Sequence, residues 1–323
     1  MNFRLVAIAT LIGLSLTPPF SALRAEPDPQ PDPDLEATIE MSEGFIPDEL
    51  PVSDLPTNTR VVIGEDDRKP VTTSAYPYSA IGRLDWVPSD DFEITLSHCT
   101  GTLIGRDLVL TNSHCLTHPF TNQILTAQEY QAAQERLTLV FKANMIRGEA
   151  LAEAEVVDFV QGWSEHPESP TEDWAILRLD RPLGDEFGYL GWSNLDFTNP
   201  RLVDLFFGRL RIVGYAGDFP TPDYANVFGE PGETAGQHEG CGILGINDGL
   251  IFHQCDTNPG VSGSALLALM SNGRYVVLGL HAGSAEYERE LSLPGGDVSR
   301  FLNRGVQVQR WADHAAQMRE NGS

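Results

Sequence analysis

Between residues 61 and 305 the apolar positions fall in short runs rich in Val, Ile, Leu and Phe, with Gly, Asn, Asp and Pro between them. "TGTLIG" (from 100), "LVLTN" (from 108), "LTLVF" (from 137), "WAILRL" (from 174), "RLRIVGY" (from 209), "GILGI" (from 242), "LIFHQ" (from 250) and "YVVLGLHAG" (from 275) are examples. Runs this short, bounded by turn formers, predict a mostly β protein with closed or packed sheets. "GINDGLIF" (245–252) predicts a hairpin, because Asn-Asp-Gly supplies residues that tolerate a positive φ. Two stretches carry helical spacing instead. "TAQEYQAAQERL" (126–137) predicts a short helix, and "VQVQRWADHAAQMRE" (306–320) a C-terminal one with Val308, Trp311 and Ala315 on one face. No segment repeats at a fixed period.

The pattern changes before residue 61. Arg4 precedes an apolar stretch from Leu5 to Leu16, and small residues follow, ending in "SALRA". This predicts a secretory signal over residues 1–25, cut near Ala25. The stretch is too short for a membrane span, and no later run reaches 18 apolar residues. No Cys lies near the cut, so no lipid anchor is expected, and the mature protein is expected to be secreted or periplasmic. Residues 26–60, opening "EPDPQPDPDLE", are rich in Pro and acid and poor in aromatics, and cannot bury enough apolar surface to fold alone. They read as a solvated linker or as a pro-segment ending at Arg60.

The formal net charge is −25. Residues 1–60 hold three of the basic and ten of the acidic residues, so the remainder still carries 18 basic against 36 acidic. That balance opposes binding to nucleic acid or to an anionic membrane. The four cysteines, Cys99, Cys115, Cys241 and Cys255, are even in number in an exported chain, which predicts disulfides. The hairpin turning at Asp248 brings Cys241 and Cys255 opposite each other. Zinc is the rival reading, but neither CxxC nor HExxH spacing occurs. Calcium suits the acidity, yet no EF-hand-like loop is present.

Three weak signals remain. His114 follows a strand in "LTNSHCLT", and Asp173 stands at the mouth of the apolar run in "TEDWAILRLD". "NPGVSGSALL" (258–267) offers two serines, Ser262 and Ser264, around one glycine. Each has an ordinary structural reading: a packed His, a capping Asp, a turn of small residues. Together they supply a nucleophile, a base and a group to orient the base, the parts that a serine hydroxyl needs to react at neutral pH.

In those motifs and their order the chain resembles the chymotrypsin-fold serine endopeptidases, and among them the bacterial V8-like glutamyl endopeptidase group. "LTNSHC", "DWAILRL" and "GVSGSA" resemble the His, Asp and Ser motifs of that fold. "RVVIGEDDRKPV", "IVGYAGD" and "GLHAGS" resemble the mature start and two later segments of V8-like enzymes, so the likeness spans roughly residues 60–285. It implies an all-β fold of two antiparallel six-stranded barrels, about 75–185 and about 200–305, followed by the C-terminal helix. Residues 61–323 would form the peptidase domain. His114, Asp173 and Ser262 would be the catalytic residues, with the N–H groups of Gly260 and Ser262 as the oxyanion hole. Ser264 would be a buried small residue opening the next strand. Cys99–Cys115 would be a common bridge of the fold, stabilising by roughly 3 kcal/mol. No cofactor is required, and the expected partner is a protein or peptide substrate. Two departures stand out: Val261 replaces the Asp that animal digestive enzymes use to accept a new N-terminus, and Ala265 replaces a usual Pro.

The resemblance also implies cleavage after Arg60, by a possible separate activating protease, to free Val61. For specificity it points two ways. Thr257 and His281 match positions that hold an acidic P1 side chain, and a Val61 ammonium would add positive charge; His and ammonium would bind a buried carboxylate by charge-assisted hydrogen bonds. Asp256, six residues before Ser262, matches the Asp with which trypsin-like enzymes bind Arg or Lys. The acidic reading is preferred, with Asp256 turned away to hydrogen-bond backbone near Cys255. An esterase on the same scaffold and a catalytically inactive, peptide-binding relative are the alternatives.

Overall fold

The computed structural model describes residues 33–48, 50, 66–89, 97–163, 169–293 and 298–322. The expected signal, Arg60 and Val61 lie outside the described residues.

Lys69–Pro70 (β1) is followed by six strands: Ile81–Pro88 (β2), His98–Leu103 (β3), Leu108–Thr111 (β4), Leu137–Ala143 (β5), Ala152–Gln161 (β6) and Ala175–Leu179 (β7). They close into an antiparallel barrel in the order β2-β3-β4-β7-β6-β5. Leu84, Leu103, Val109, Phe141, Val156 and Leu177 fill its interior. Gly82 and Gly101 face each other across β2 and β3. A Cβ at Gly82 would lie 2.6 Å from the Phe141 ring, and one at Gly101 2.5 Å from Val109 Cγ1, so glycine here lets the wall close over those side chains. The short helix predicted at 126–137 is Ala127–Ala133, started by a capping box between Thr126 and Glu129.

The second half contains Gly191–Trp192 (β8), Leu210–Gly214 (β9), Gly236–Cys241 (β10), Ile243–Asn247 (β11), Leu250–His253 (β12), Ala265–Leu269 (β13), Tyr275–Ser292 (β14) and Val298–Gln307 (β15). With β1 they form one nine-stranded sheet, β1-β10-β9-β13-β14-β15-β12-β11, and β8 pairs in parallel with β14. Six strands in a closed ladder were expected; among the described residues the sheet has more strands and its ladder is open. Its two ends are joined by other bonds. The Cys241–Cys255 disulfide links the end of β10 to the residues after β12, Asp256 N–H donates to His238 Nδ1 on β10 (2.8 Å), and Gln254 N–H to Gly242 O (3.1 Å). The predicted hairpin is β11–β12, with Asp248 and Gly249 both at positive φ.

The C-terminal helix begins later than its spacing predicts. Val306 and Gln307 still pair with β14, and a turn at Val308–Arg310 leads into the helix Ala312–Asn321. Val308, Trp311 and Ala315 are all buried, as the one-faced pattern requires. Among the described residues no helix is long and apolar enough to cross a membrane.

Residues 33–48 are a finding that composition did not anticipate. Leu35, Ile39 and Met41 pack against the second core, and the buried Glu36 carboxylate meets Arg209 (3.1 Å) and the Ser271 N–H. Phe45 exchanges two 2.8 Å backbone hydrogen bonds with Tyr189. The stretch has too little apolar surface to form a core of its own, but enough to cover part of one that already exists.

Candidate active site

His114 and Asp173 sit just beyond the ends of two adjacent strands. β4 and β7 pair with Thr111 opposite Ala175, so the residues that follow the one and precede the other emerge side by side. Asp173 is buried; it accepts from His114 N–H (3.0 Å) and holds the ring at Nδ1 (2.7 Å). The pair is set from behind: Asn112 Nδ2 donates to Asp173 O and Ser113 Oγ to Trp174 O, each at 2.7 Å. With the carboxylate on Nδ1, that nitrogen carries the proton and Nε2 is left as the acceptor.

The two serines differ in burial. Ser264 is fully buried ahead of β13, whereas Ser262 is partly exposed on the turn. That turn depends on glycine. Gly260 has φ +102° and Gly263 φ +86°; a Cβ on the first would strike Tyr215 O, and on the second Thr100 O and Thr111 Oγ1. Thr100 on β3 reaches across from the first barrel: its N–H donates to Ser262 O (2.8 Å) and its Oγ1 to Gly260 O (2.9 Å). Its neighbour Cys99 is bridged to Cys115, beside His114. Consecutive residues of one strand therefore tether the His114 turn and the Ser262 turn. No sequence motif marks Thr100; its role comes from the packing of the two halves.

Along residues 253–257, which lead toward the Ser262 turn in sequence, lies a cavity of about 520 Å³, lined among others by Asp66, Arg68, His253, Asp256, Thr257 and Asn303. Thr257 Oγ1 donates to Asn303 Oδ1 (2.9 Å), and Asn303 Nδ2 to Cys255 O (2.6 Å). Asp256 lines the cavity, yet its Oδ2 accepts from Asp67 N–H (3.0 Å) and lies 3.1 Å from His238 Nδ1. It does turn to backbone, but to the segment at Asp67 and not to that near Cys255.

His281 is buried behind the cavity wall, against His253, with 3.1 Å between His253 Nε2 and His281 Nδ1. Cys255 N–H donates to His253 Nδ1 (3.3 Å), so His253 carries its proton on Nε2 and donates it to His281 Nδ1. His281 in turn is protonated at Nε2. Burial, with the nearby His114 and Arg304 charges, pushes His281 down to about 3, and burial, with His281 and His238, puts His253 well below the ordinary range. Both rings are neutral at neutral pH, so the His281 donor is a neutral N–H. His253, in "LIFHQC", was not singled out from sequence; only its contact with His281 marks it.

Asp67, His238 and Asp256 bring three ligand-type atoms within 4.8 Å of one another. His238 Nδ1 and Asp256 Oδ2 already accept protein N–H groups, which leaves a poor donor set for a cation. All four cysteines are bridged, as Cys99–Cys115 and Cys241–Cys255, so none offers a thiolate.

The chain is similar to known peptidases. The chain is 25% identical over 238 residues to a glutamyl endopeptidase of Bacillus licheniformis, covering 68% of this chain and 63% of that protein. It is 25% identical over 185 residues to serine protease 23 of Rattus norvegicus, covering 53% and 43%. It thus spans less than two thirds of the length of either relative. A solved Glu endopeptidase, in complex with MPD, shares the fold with a TM-score of 0.51 and 23% identity, over 79% of this chain and 100% of that one. Residues 99–280, from the bridged Cys99 to the residue before His281, match the model of the trypsin-like peptidase domain, and the chain belongs to that family.

Proposed function

We propose that the protein is an exported serine endopeptidase that cleaves peptide bonds through an acyl-enzyme, with a preference for an acidic P1 residue. The observation that carries the reading is the buried Asp173 carboxylate on His114 Nδ1, with the His114 turn and the Ser262 turn tethered by consecutive residues of β3, Cys99 and Thr100. Ser262 Oγ attacks the substrate carbonyl, and His114 Nε2 takes its proton. The oxyanion forms against the N–H groups of Gly260 and Ser262. As the C–N bond breaks, His114 returns the proton to the leaving amine; water then releases the acyl group by the same steps. Asp173 keeps the imidazole in the correct tautomer and stabilises the imidazolium.

The acidic preference is supported by two observations. Asp256 spends a carboxylate oxygen on Asp67 N–H, and the histidine chain leaves His281 with its proton on Nε2, suited to donate to a carboxylate. Val61 is five residues from Asp66, which lines the cavity, so cleavage after Arg60 would put a new amine within about 17 Å of it along the chain. An enzyme that selects acidic P1 does not cut after Arg60, so this maturation would need a separate protease.

The test is kcat/KM on matched peptides with Glu, Arg or Leu at P1, for wild type, His281→Ala and Asp256→Ala. Glu preference that falls with His281→Ala is expected. Arg preference abolished by Asp256→Ala would replace the acidic reading with the trypsin-like one. Labelling by a fluorophosphonate probe, which needs an activated serine, separates an enzyme from an inactive peptide-binding relative; hydrolysis of esters but not peptides would indicate an esterase. N-terminal sequencing of the secreted, active protein decides whether Val61 is its first residue.

A further inference from the structure

Val261 is buried in the second core, so the residue before Ser262 offers no carboxylate to hold the oxyanion turn. The turn is held from elsewhere. Pro259 O accepts from Gly217 N–H (2.8 Å), and Gly260 O from Thr100 Oγ1. Pro259 C=O and Gly260 N–H belong to one planar trans peptide and point in opposite directions. Anchoring the carbonyl on Gly217 therefore aims the Gly260 N–H to the other side.

The anchor is itself held. Asp218, beside Gly217, accepts Asn258 Nδ2 (2.5 Å), a second link between the same two loops. Its carboxylate also takes two hydrogen bonds from Arg68, Nη1 to Oδ1 (2.8 Å) and Nη2 to Oδ2 (2.9 Å). The same guanidinium is bidentate to Asp66, lies 5.1 Å from the centre of the buried Phe219 ring, and is only 9% exposed. Burial alone would lower its pKa, but Asp66 and Asp218 outweigh that and raise it, so the charge is permanent. A planar fork shared between two carboxylates fixes direction as well as distance, which a lysine ammonium does not do.

We propose that Arg68 is a positioning residue for the oxyanion hole. It acts through Asp218 and the Gly217–Pro259 hydrogen bond to keep the Gly260 N–H turned toward the reacting carbonyl. This rests on the reading of Gly260 as an oxyanion donor. It also makes the segment just after the expected maturation point part of the catalytic scaffold.

Three variants test it: Arg68→Lys keeps the charge but loses the fork, Asp218→Asn keeps the shape but loses the charge, and Asn258→Ala cuts only the surface link. Rates are expressed per active site titrated with the fluorophosphonate, so loss of folded protein does not count as loss of turnover. The expected result is a fall in kcat of about ten- to a hundredfold for Arg68→Lys and Asp218→Asn, part of the loss seen when a whole donor is removed. Asn258→Ala should fall less, and KM should stay within about threefold throughout. Affinity for a peptide aldehyde, whose adduct carries the oxyanion, should fall in step with kcat/KM. If Arg68→Lys does not fold, Asp218→Asn carries the same requirement.

A readout independent of catalysis uses Ser262→Ala protein labelled with ¹³C-carbonyl proline and ¹⁵N-glycine. Only the three Pro–Gly bonds, at Gly232, Gly260 and Gly295, then give a coupled signal. The Gly260 signal should move or broaden when Arg68→Lys or Asp218→Asn is added. Wild-type kcat per titrated site in both variants, with an unmoved Gly260 signal, overturns the proposal. A wild-type protein that neither labels nor hydrolyses peptides, with a Gly260 signal that does move, overturns the proposed function and leaves the coupling standing.

Discussion

The two halves of the molecule hold their shares of the candidate site by different means. The first barrel is a closed ladder, and His114 and Asp173 project from neighbouring strand ends already hydrogen-bonded to each other. The second sheet has an open ladder, and its share lies on loops: 215–219, 255–263 and the cavity wall. Those loops are pinned by a disulfide, by Thr100 from the other half, and by Arg68 from the segment before the first barrel. A ladder distributes its strength over many backbone bonds, whereas a pinned loop depends on a few side chains. Damage to the second half should therefore remove function at a smaller cost in stability than comparable damage to the first.

The largest expected effects lie in the reacting groups and do not distinguish the halves. Ser262→Ala should lower turnover on the order of 10⁶-fold by analogy with another serine protease. Asp173→Asn should cost about 10⁴-fold through the wrong imidazole tautomer. Loss of activity in Ser264→Ala with Ser262→Ala still active would reverse the assignment of the nucleophile. Gly260→Ala sharpens the comparison, because its Cβ meets Tyr215 O and the turn must shift. A loss of about 10²–10³ in kcat is expected, equal to removal of one oxyanion donor, with a fall in Tm from the strain at φ +102°. A large fall in Tm with unchanged kcat per titrated site would mean that the turn can relax without moving the donor.

Paired disulfide deletions set the halves directly against each other. The bridges span 16 and 14 residues, so each deletion should cost roughly 3 kcal/mol in the chain-entropy model. Their functional signatures should differ. Cys99→Ser with Cys115→Ser loosens the His114 turn and should lower kcat for every substrate. Cys241→Ser with Cys255→Ser frees the sheet ends beside the cavity and should act on P1 selectivity first. Identical kinetic changes in the two pairs would erase the distinction.

The docked residues 33–48 offer a smaller effect. Glu36→Ala leaves Arg209 without its carboxylate and should cost about 1–3 kcal/mol, read from denaturant midpoints of the full-length chain. Burial acts to raise the Glu36 pKa, but the Ser271 N–H and the Arg209 guanidinium outweigh it and hold the carboxyl below its usual range. The sign follows: the contribution is complete above the unfolded value near 4.5 and is lost as pH falls through the folded value. The Glu36→Ala difference should therefore shrink in acid. Each of His253 and His281 acts the same way over a higher range. Both are held neutral in the fold, so the unfolded chain binds more protons from about pH 6.5 down to about 3 for His281. Stability should fall with pH across that window by up to about 1.4 kcal/mol per unit for each ring. His281→Asn should flatten the slope; an unchanged slope would mean that the pair does not titrate on unfolding.

Local order was readable from the chain because it depends on neighbours in sequence. The quoted apolar runs all fall on strands, and Asn-Asp-Gly makes the β11–β12 turn that brings Cys241 to Cys255. His114, Asp173 and Ser262 stood out because each belongs to a motif of contiguous residues. Tertiary structure alone decided the rest. Thr100 and His253 sit in no motif, and the segments that contain Arg68 and Asp218 give these two no role; all four matter through bonds to residues 28 to 160 positions away, which no local pattern encodes. Composition speaks only to how little apolar surface residues 26–60 have of their own; the docking of residues 33–48 depends on a surface supplied by distant strands. The direction of Asp256 is decided in the same way: its spacing from Ser262 is a property of the sequence, whereas the N–H that claims its carboxylate arrives from Asp67 only when the fold is complete.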